Sequence, residues 1–168
     1  MKRRFFTTKF LAAGLVTTSM VLTSCASNLK PQAQTVSSTS THSATHKLTV
    51  FRTPTCVCCG QWIDRMEAAG FQIKDEITEN VEAIKQQYGV PAEMYSCHTT
   101  IAAGYVIEGH IPAEDVQRLL DEKPGIKGIV VPGMPIGSPG MESGNRVEPY
   151  TVFTLLEDGT TGIFAEHS

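Results

Sequence analysis

Apolar and polar positions alternate in blocks along this chain, and the blocks change period in a regular order. Lys47-Leu48-Thr49-Val50-Phe51 is short, β-branched and aromatic, so it predicts a strand, which Pro54 must end because proline cannot donate to a ladder. From Cys58 onward Trp62, Ile63, Met66 and Ala69 recur at helical spacing, with Gly70 placed to end the helix. At that spacing Trp62 and Met66 read as core residues. Phe71-Gln72-Ile73-Lys74 predicts a second strand, and Val81, Ile84 and Tyr88 a second helix closing at Gly89. A polar stretch, Met94 to Thr99, leads into the apolar Tyr105-Val106-Ile107. Pro112 then suits a first helical position, and Val116, Leu119 and Leu120 form the stripe of a third helix. Ile126 to Val131 predicts another strand. Thr151–Leu156 and Thr161–Phe164, separated by Glu157-Asp158-Gly159-Thr160, predict a hairpin. Strands alternating with helices, then a hairpin, indicate an α/β fold: a thioredoxin-like sheet with flanking helices and a C-terminal loop-plus-hairpin extension.

The N-terminal segment follows none of these periods. Lys2, Arg3, Arg4 and Lys9 precede an apolar run from Phe10 to Leu22, the layout of a secretory signal and too short for an ordinary membrane span. Leu22-Thr23-Ser24-Cys25 resembles a bacterial lipobox, which makes residues 1–24 the removed signal and Cys25 the lipidated first residue. Arg3-Arg4 followed by Phe6 partly matches a twin-arginine signal. Ala26 after the lipid cysteine resembles the pattern that directs bacterial lipoproteins to the outer membrane, with the domain facing the periplasm. Residues 25–46 are rich in Ser, Thr and Gln and cannot bury enough apolar surface to offset the entropy of ordering, so they read as a disordered tether. His42 and His46 there read as solvated side chains. Residues 47–168 are left as the folded domain, and 41% hydrophobic content over 168 residues suits a single core.

Loss of residues 1–24 removes four basic and no acidic residues, leaving 10 Lys+Arg against 17 Asp+Glu and a net charge near −7. That balance argues against a nucleic-acid partner. No motif supports Ser-His-Asp hydrolysis, a phosphate-binding loop or paired-carboxylate catalysis.

The chemistry is concentrated in Thr53-Pro54-Thr55-Cys56-Val57-Cys58-Cys59-Gly60, where three of the five cysteines fall within four positions on a strand-to-helix turn. Adjacent Cα atoms sit about 3.8 Å apart, below the disulfide window of about 4.4–6.8 Å, so Cys58 and Cys59 do not bridge each other without strain. Thiols at a helix N-terminus are favoured as thiolates, and thiolates are soft ligands for Cu(I), Zn and iron–sulfur centres. Cys56 and Cys59 also have the C-x-x-C spacing of dithiol oxidoreductases, so metal binding and thiol exchange both fit the turn. Cys97 lies about forty residues on, but a later loop of a thioredoxin-like sheet can reach the same edge, and four converging thiols make a metal site. The loop Pro132-Gly133-Met134-Pro135-Ile136-Gly137-Ser138-Pro139-Gly140-Met141 holds three prolines, three glycines and two methionines in ten residues. Thioethers beside thiolates select Cu(I) over Zn, so Met134 and Met141 join the candidate ligands, with His98 as a ligand or support. His110 is a further possible ligand or supporting group, although its place just before a helix reads rather as that of a capping or packing residue. A structural zinc site fits poorly, because three ligands within four residues do not suit one tetrahedral ion.

These motifs together, Thr53 to Cys59, Cys97-His98-Thr99, Gly104-Tyr105-Val106-Ile107-Glu108-Gly109-His110-Ile111-Pro112-Ala113, and Val131 to Glu142, resemble the CopG family of periplasmic copper-resistance proteins from about Lys47 to the C-terminus. The resemblance implies a thioredoxin-like domain whose C-terminal extension helps enclose several cysteine-bridged copper ions. It implies Cys56, Cys58, Cys59 and Cys97 as the sulfur ligands, and a role in interconverting Cu(I) and Cu(II) for copper tolerance and export. The partners expected are therefore copper ions and periplasmic copper-efflux components, with membrane contact through the lipid anchor only. No catalytic residue is expected apart from the metal site, and no organic cofactor. The alternatives are a metal-free thiol–disulfide oxidoreductase in which Cys56 attacks and Cys59 resolves, and a passive copper carrier.

Overall fold

The computed structural model describes residues 46–168. The signal segment, the lipobox with Cys25 and the tether through residue 45 lie outside the described residues. Strand β1 (Lys47–Arg52) runs into helix α1 (Val57–Ala68), strand β2 (Gln72–Ile77) and helix α2 (Val81–Gln87). A single 3-10 turn at Ala92–Met94 leads to strands β3 (Thr99–Ala102) and β4 (Tyr105–Glu108), helix α3 (Ala113–Glu122), strand β5 (Gly128–Val130) and the pair β6 (Tyr150–Leu155) and β7 (Thr161–His167). Among the described residues no helix is long and apolar enough to cross a membrane.

Among the described residues seven strands form one sheet in the order β2-β1-β3-β4-β5-β6-β7. β1 and β2 are parallel, β3 is antiparallel to β1, and β4 is antiparallel to β3. A βαβ unit followed by a hairpin and a helix, in the order 2-1-3-4, is the thioredoxin-like arrangement. The extension continues the same sheet, through β5 parallel to β4 and then the antiparallel β6 and β7. Strand β3 was not legible in the sequence, where residues 94–99 read as a polar stretch. Its Thr99 and Thr100 are polar yet fully buried, and Thr99 has a buried partner described below. β7 also runs to His167, beyond the Phe164 that apolar alternation marks.

The core forms between the sheet and its helices from Leu48, Val50, Trp62, Met66, Ile107, Ile111, Val116, Leu119 and Ile129, all fully buried. Trp62 and Met66 are core residues as their spacing indicates, and Trp62 Nε1 donates to Ile111 O at 2.9 Å, satisfying the one polar atom of that ring. The consequence for function lies in the register. Phe51 pairs with Thr99, Thr99 with Glu108, and Glu108 with Val130. The segment leaving β1, the segment entering β3, the segment leaving β4 and the segment leaving β5 therefore project from one end of the sheet. Those four segments carry Cys56–Cys59, Cys97–His98, His110 and the methionine loop.

Candidate metal centre

Cys56 occupies the N-cap of α1, and its backbone N–H donates to Thr53 O at 3.2 Å, closing the turn that Pro54 begins. Cys58 and Cys59 stand in the first helical turn, where backbone N–H groups lack intrahelical acceptors. Cys59 is fully buried, and Cys56 and Cys58 are half-buried. Cys56 and Cys59 are joined by a disulfide across a Cα–Cα distance of 5.3 Å, whereas Cys58 and Cys97 are free.

Cys58 is the centre of the sulfur group. Its Sγ lies 3.6 Å from Cys56 Sγ, 3.8 Å from Cys97 Sγ and 4.0 Å from Met134 Sδ. The sulfurs of Cys56, Cys58, Cys59 and Cys97 all fall within 4.8 Å of one another. A second group meets the first at Cys97, whose Sγ lies 2.8 Å from His110 Nε2 and 3.4 Å from His98 Nδ1. The ligand atoms of Cys97, His98 and His110 likewise lie within 4.8 Å of one another.

The electrostatics assign proton positions. His110 Nδ1 donates to Pro139 O at 2.8 Å, which leaves Nε2 as the lone-pair nitrogen facing Cys97. Burial lowers the His110 pKa, against a smaller opposing effect of that carbonyl, so the ring stays neutral. Burial pushes the Cys97 thiol up to about 12, with nearby Cys58 adding to the rise, so Cys97 keeps its proton and donates it to His110. His98 is completely buried, and burial first and His110 second hold its pKa well below the usual histidine range. Its Nε2 has no hydrogen-bond partner. A buried, neutral imidazole nitrogen left without a partner is costly unless something else occupies its lone pair.

The structure brings together Cys56, Cys58, Cys59, Cys97, His98 and Met134. Met141 lines the same groove of about 660 Å³, with Thr55, Cys58, Met134 and Ile136, but makes no sulfur contact of the kind Met134 makes. His46 stands apart, its Nε2 3.4 Å from Asp121 Oδ1. His110 does not cap α3, the role its place before the helix suggests. The cap of α3 is Pro112, and His110 turns into the site because Gly109 adopts φ +84 between β4 and the helix. A Cβ at Gly109 would fall 2.5 Å from Ser96 Oγ and 2.6 Å from Val131 O, so the close approach of three segments requires glycine.

The methionine loop is fastened against α1 in the same manner. Gly140 has φ +83, and a Cβ there would lie 2.7 Å from Cys58 O and 2.8 Å from Trp62 N. Gly140 N–H donates to Glu142 Oε2 at 2.9 Å, and Arg65 Nε donates to Glu142 Oε1 at 3.0 Å. Gly140→Ala is expected to lift the loop from α1 and cost about 1–3 kcal/mol, measured by urea denaturation, with Met134 drawn away from Cys58. Wild-type stability in that variant would show that the loop does not depend on this contact.

A thioredoxin-like sheet that presents four cysteine sulfurs, a thioether and two neutral imidazoles at the start of its first helix defines a protein with a soft-donor thiol centre. A family described as a protein of unknown function, DUF411, matches residues 94–141. Two solved structures are similar to this chain over most of its length. The first, described as copper resistance protein CopG, form 2, is 41% identical with a TM-score of 0.71, over 73% of this chain and 98% of that one. The second, form 1 of copper resistance protein CopG, is 42% identical with a TM-score of 0.69, over 72% of this chain and 96% of that one. No curated protein sequence matches the chain. The chain belongs to the CopG-like copper-resistance family.

Proposed function

We propose that this protein binds copper in copper resistance, holding several Cu(I) ions in a cluster bridged by Cys56, Cys58, Cys59 and Cys97 and interconverting Cu(I) and Cu(II). The observation that carries this reading is the convergence of four cysteine sulfurs within 4.8 Å, with Met134 Sδ added at 4.0 Å from Cys58. The donor set fits the ion, since thiolate and thioether are soft and Cu(I) is soft. Four thiolates also gather about four negative charges in a small volume, which several monovalent cations neutralise better than a single divalent ion. His110 Nε2 and His98 Nδ1, at 2.8 Å and 3.4 Å from Cys97 Sγ, add neutral nitrogens beside Cys97. Met141, lining the same groove, is the outer member of the set.

Copper supplies the electron exchange when bound; the chain supplies placement, charge balance and shielding. The Cys97 proton must leave when its sulfur ligates a metal, which frees His110 Nε2 from the hydrogen bond it now accepts from that thiol. The Cys56–Cys59 disulfide must be reduced before either sulfur can ligate. We place the protein in the periplasm, held by a lipid on Cys25 through the 25–46 tether, with copper-efflux components as its partners.

The disulfide also supports a second reading, a thiol–disulfide oxidoreductase that works without metal through Cys56 and Cys59. Anaerobic titration of the reduced protein with Cu(I), followed by elemental analysis, separates the two. The copper reading predicts several ions retained per chain after desalting, with retention lost when the titration starts from the disulfide form. No copper retained by the fully reduced protein would favour the thiol oxidoreductase.

A further inference from the structure

Behind the sulfur cluster lies a buried ion pair that sulfur chemistry does not itself use. Lys85 of α2 and Glu108 at the end of β4 are 2.5 Å apart, with side-chain exposures of 5% and 0%. Taking two charges out of water rarely adds net stability, and a well-packed apolar pair would serve the fold as well. What distinguishes this pair is where its other bonds go. Glu108 Oε1 accepts the Ser96 N–H at 2.7 Å, and Oε2 accepts the Thr99 hydroxyl at 2.7 Å. Lys85 Nζ donates to Thr99 Oγ1 at 3.1 Å. Ser96 and Thr99 are the residues on either side of Cys97-His98. One carboxylate therefore grips both ends of the two-residue segment that carries a thiol and an imidazole of the site. The segment is held a second time by Gly109 N–H, which donates to His98 O at 3.1 Å, and Gly133 N–H donates to Tyr95 O at 3.0 Å.

We infer that Glu108, locked in place by Lys85, is a positioning residue that fixes Cys97 Sγ at 3.8 Å from Cys58 Sγ and 2.8 Å from His110 Nε2. An ion pair that only supports the fold can be exchanged for apolar side chains without moving Cys97. A clamp cannot, because the Ser96 N–H and the Thr99 hydroxyl then lose their acceptor. The inference rests on the reading in which Cys97 completes the sulfur site, but it can be tested without metal.

The test uses the full chain carrying Cys25→Ser, Cys56→Ser and Cys59→Ser, reduced and metal-free, so that Cys58 and Cys97 are the two remaining thiols. Dibromobimane, which bridges thiols only when they are close, reports their approach as a fluorescent cross-link, and circular dichroism reports folding. The Lys85→Met/Glu108→Leu double variant is expected to fold but to melt below its parent, because two donors lose their acceptor, and to cross-link about tenfold more slowly. Thr99→Val, which removes the hydroxyl's bonds to Glu108 and Lys85 and keeps the shape, is expected to slow cross-linking about threefold. Parent-rate cross-linking in the folded double variant, or in Thr99→Val, overturns the clamp. If the double variant does not fold, Thr99→Val decides the matter alone. Copper retention by the unaltered protein has no bearing on this rate, so failure of the copper reading and failure of the clamp are seen separately.

Discussion

Replacing Cys97 by serine is expected to remove more than half of the copper that the reduced protein retains, while leaving the domain folded. Cys97 is the only described residue common to both donor groups, the four sulfurs on one side and the two imidazoles on the other. A serine oxygen is a hard donor of nearly the same size, so it keeps the shape of the loop and discards the affinity for a soft ion. The loop itself is held by Ser96, His98 and Thr99, none of which depends on the thiol for its backbone contacts. The measurement is copper per chain after anaerobic loading, beside a thermal melt of the metal-free protein. Unchanged stoichiometry in a folded Cys97→Ser protein would confine the site to α1 and remove the C-terminal half of the fold from the account.

Cys58→Ser is expected to be equally damaging to copper and harmless to the Cys56–Cys59 disulfide. Cys58 Sγ lies between the Cys56, Cys97 and Met134 sulfurs, at 3.6, 3.8 and 4.0 Å, so removing it separates the remaining sulfurs. A dithiol oxidoreductase has no use for that sulfur, since Cys56 and Cys59 make their bond without it. Copper per chain and the rate of insulin disulfide reduction, measured on the same preparation, give opposite answers under the two readings. Loss of copper with an intact disulfide supports the cluster. Full copper retention, with reductase activity that depends on Cys56, would support the oxidoreductase.

Much of this arrangement is local enough to read from residues in order. The break at Thr53-Pro54, the helical recurrence of Trp62, Ile63 and Met66, and the crowding of three thiols between them place the sulfur turn without any knowledge of the sheet. The loop between Pro132 and Met141 is legible for the same reason, because its prolines and glycines exclude regular structure wherever it lies. What could not be read depends on register. β3 is four residues long, and two of its buried side chains are threonines, so neither length nor hydrophobicity announces it. His110 precedes a proline-led helix and looks like part of its entrance; its approach to Cys97 depends on Gly109 turning the chain at the end of β4. Met134 and Met141 are indistinguishable by spacing, and only the course of the loop over α1 puts the first beside Cys58. The Lys85–Glu108 pair joins residues 23 positions apart across an α2–β4 contact, and each alone looks like an ordinary surface charge.

The most direct test of the central claim is X-ray absorption at the copper edge on the reduced, Cu(I)-loaded protein. The four-sulfur site predicts a nearest shell dominated by sulfur together with a copper–copper vector, which only metal ions sharing bridging thiolates produce. A shell of nitrogen and oxygen with no copper–copper vector would contradict it and show that the cysteines do not jointly hold the metal.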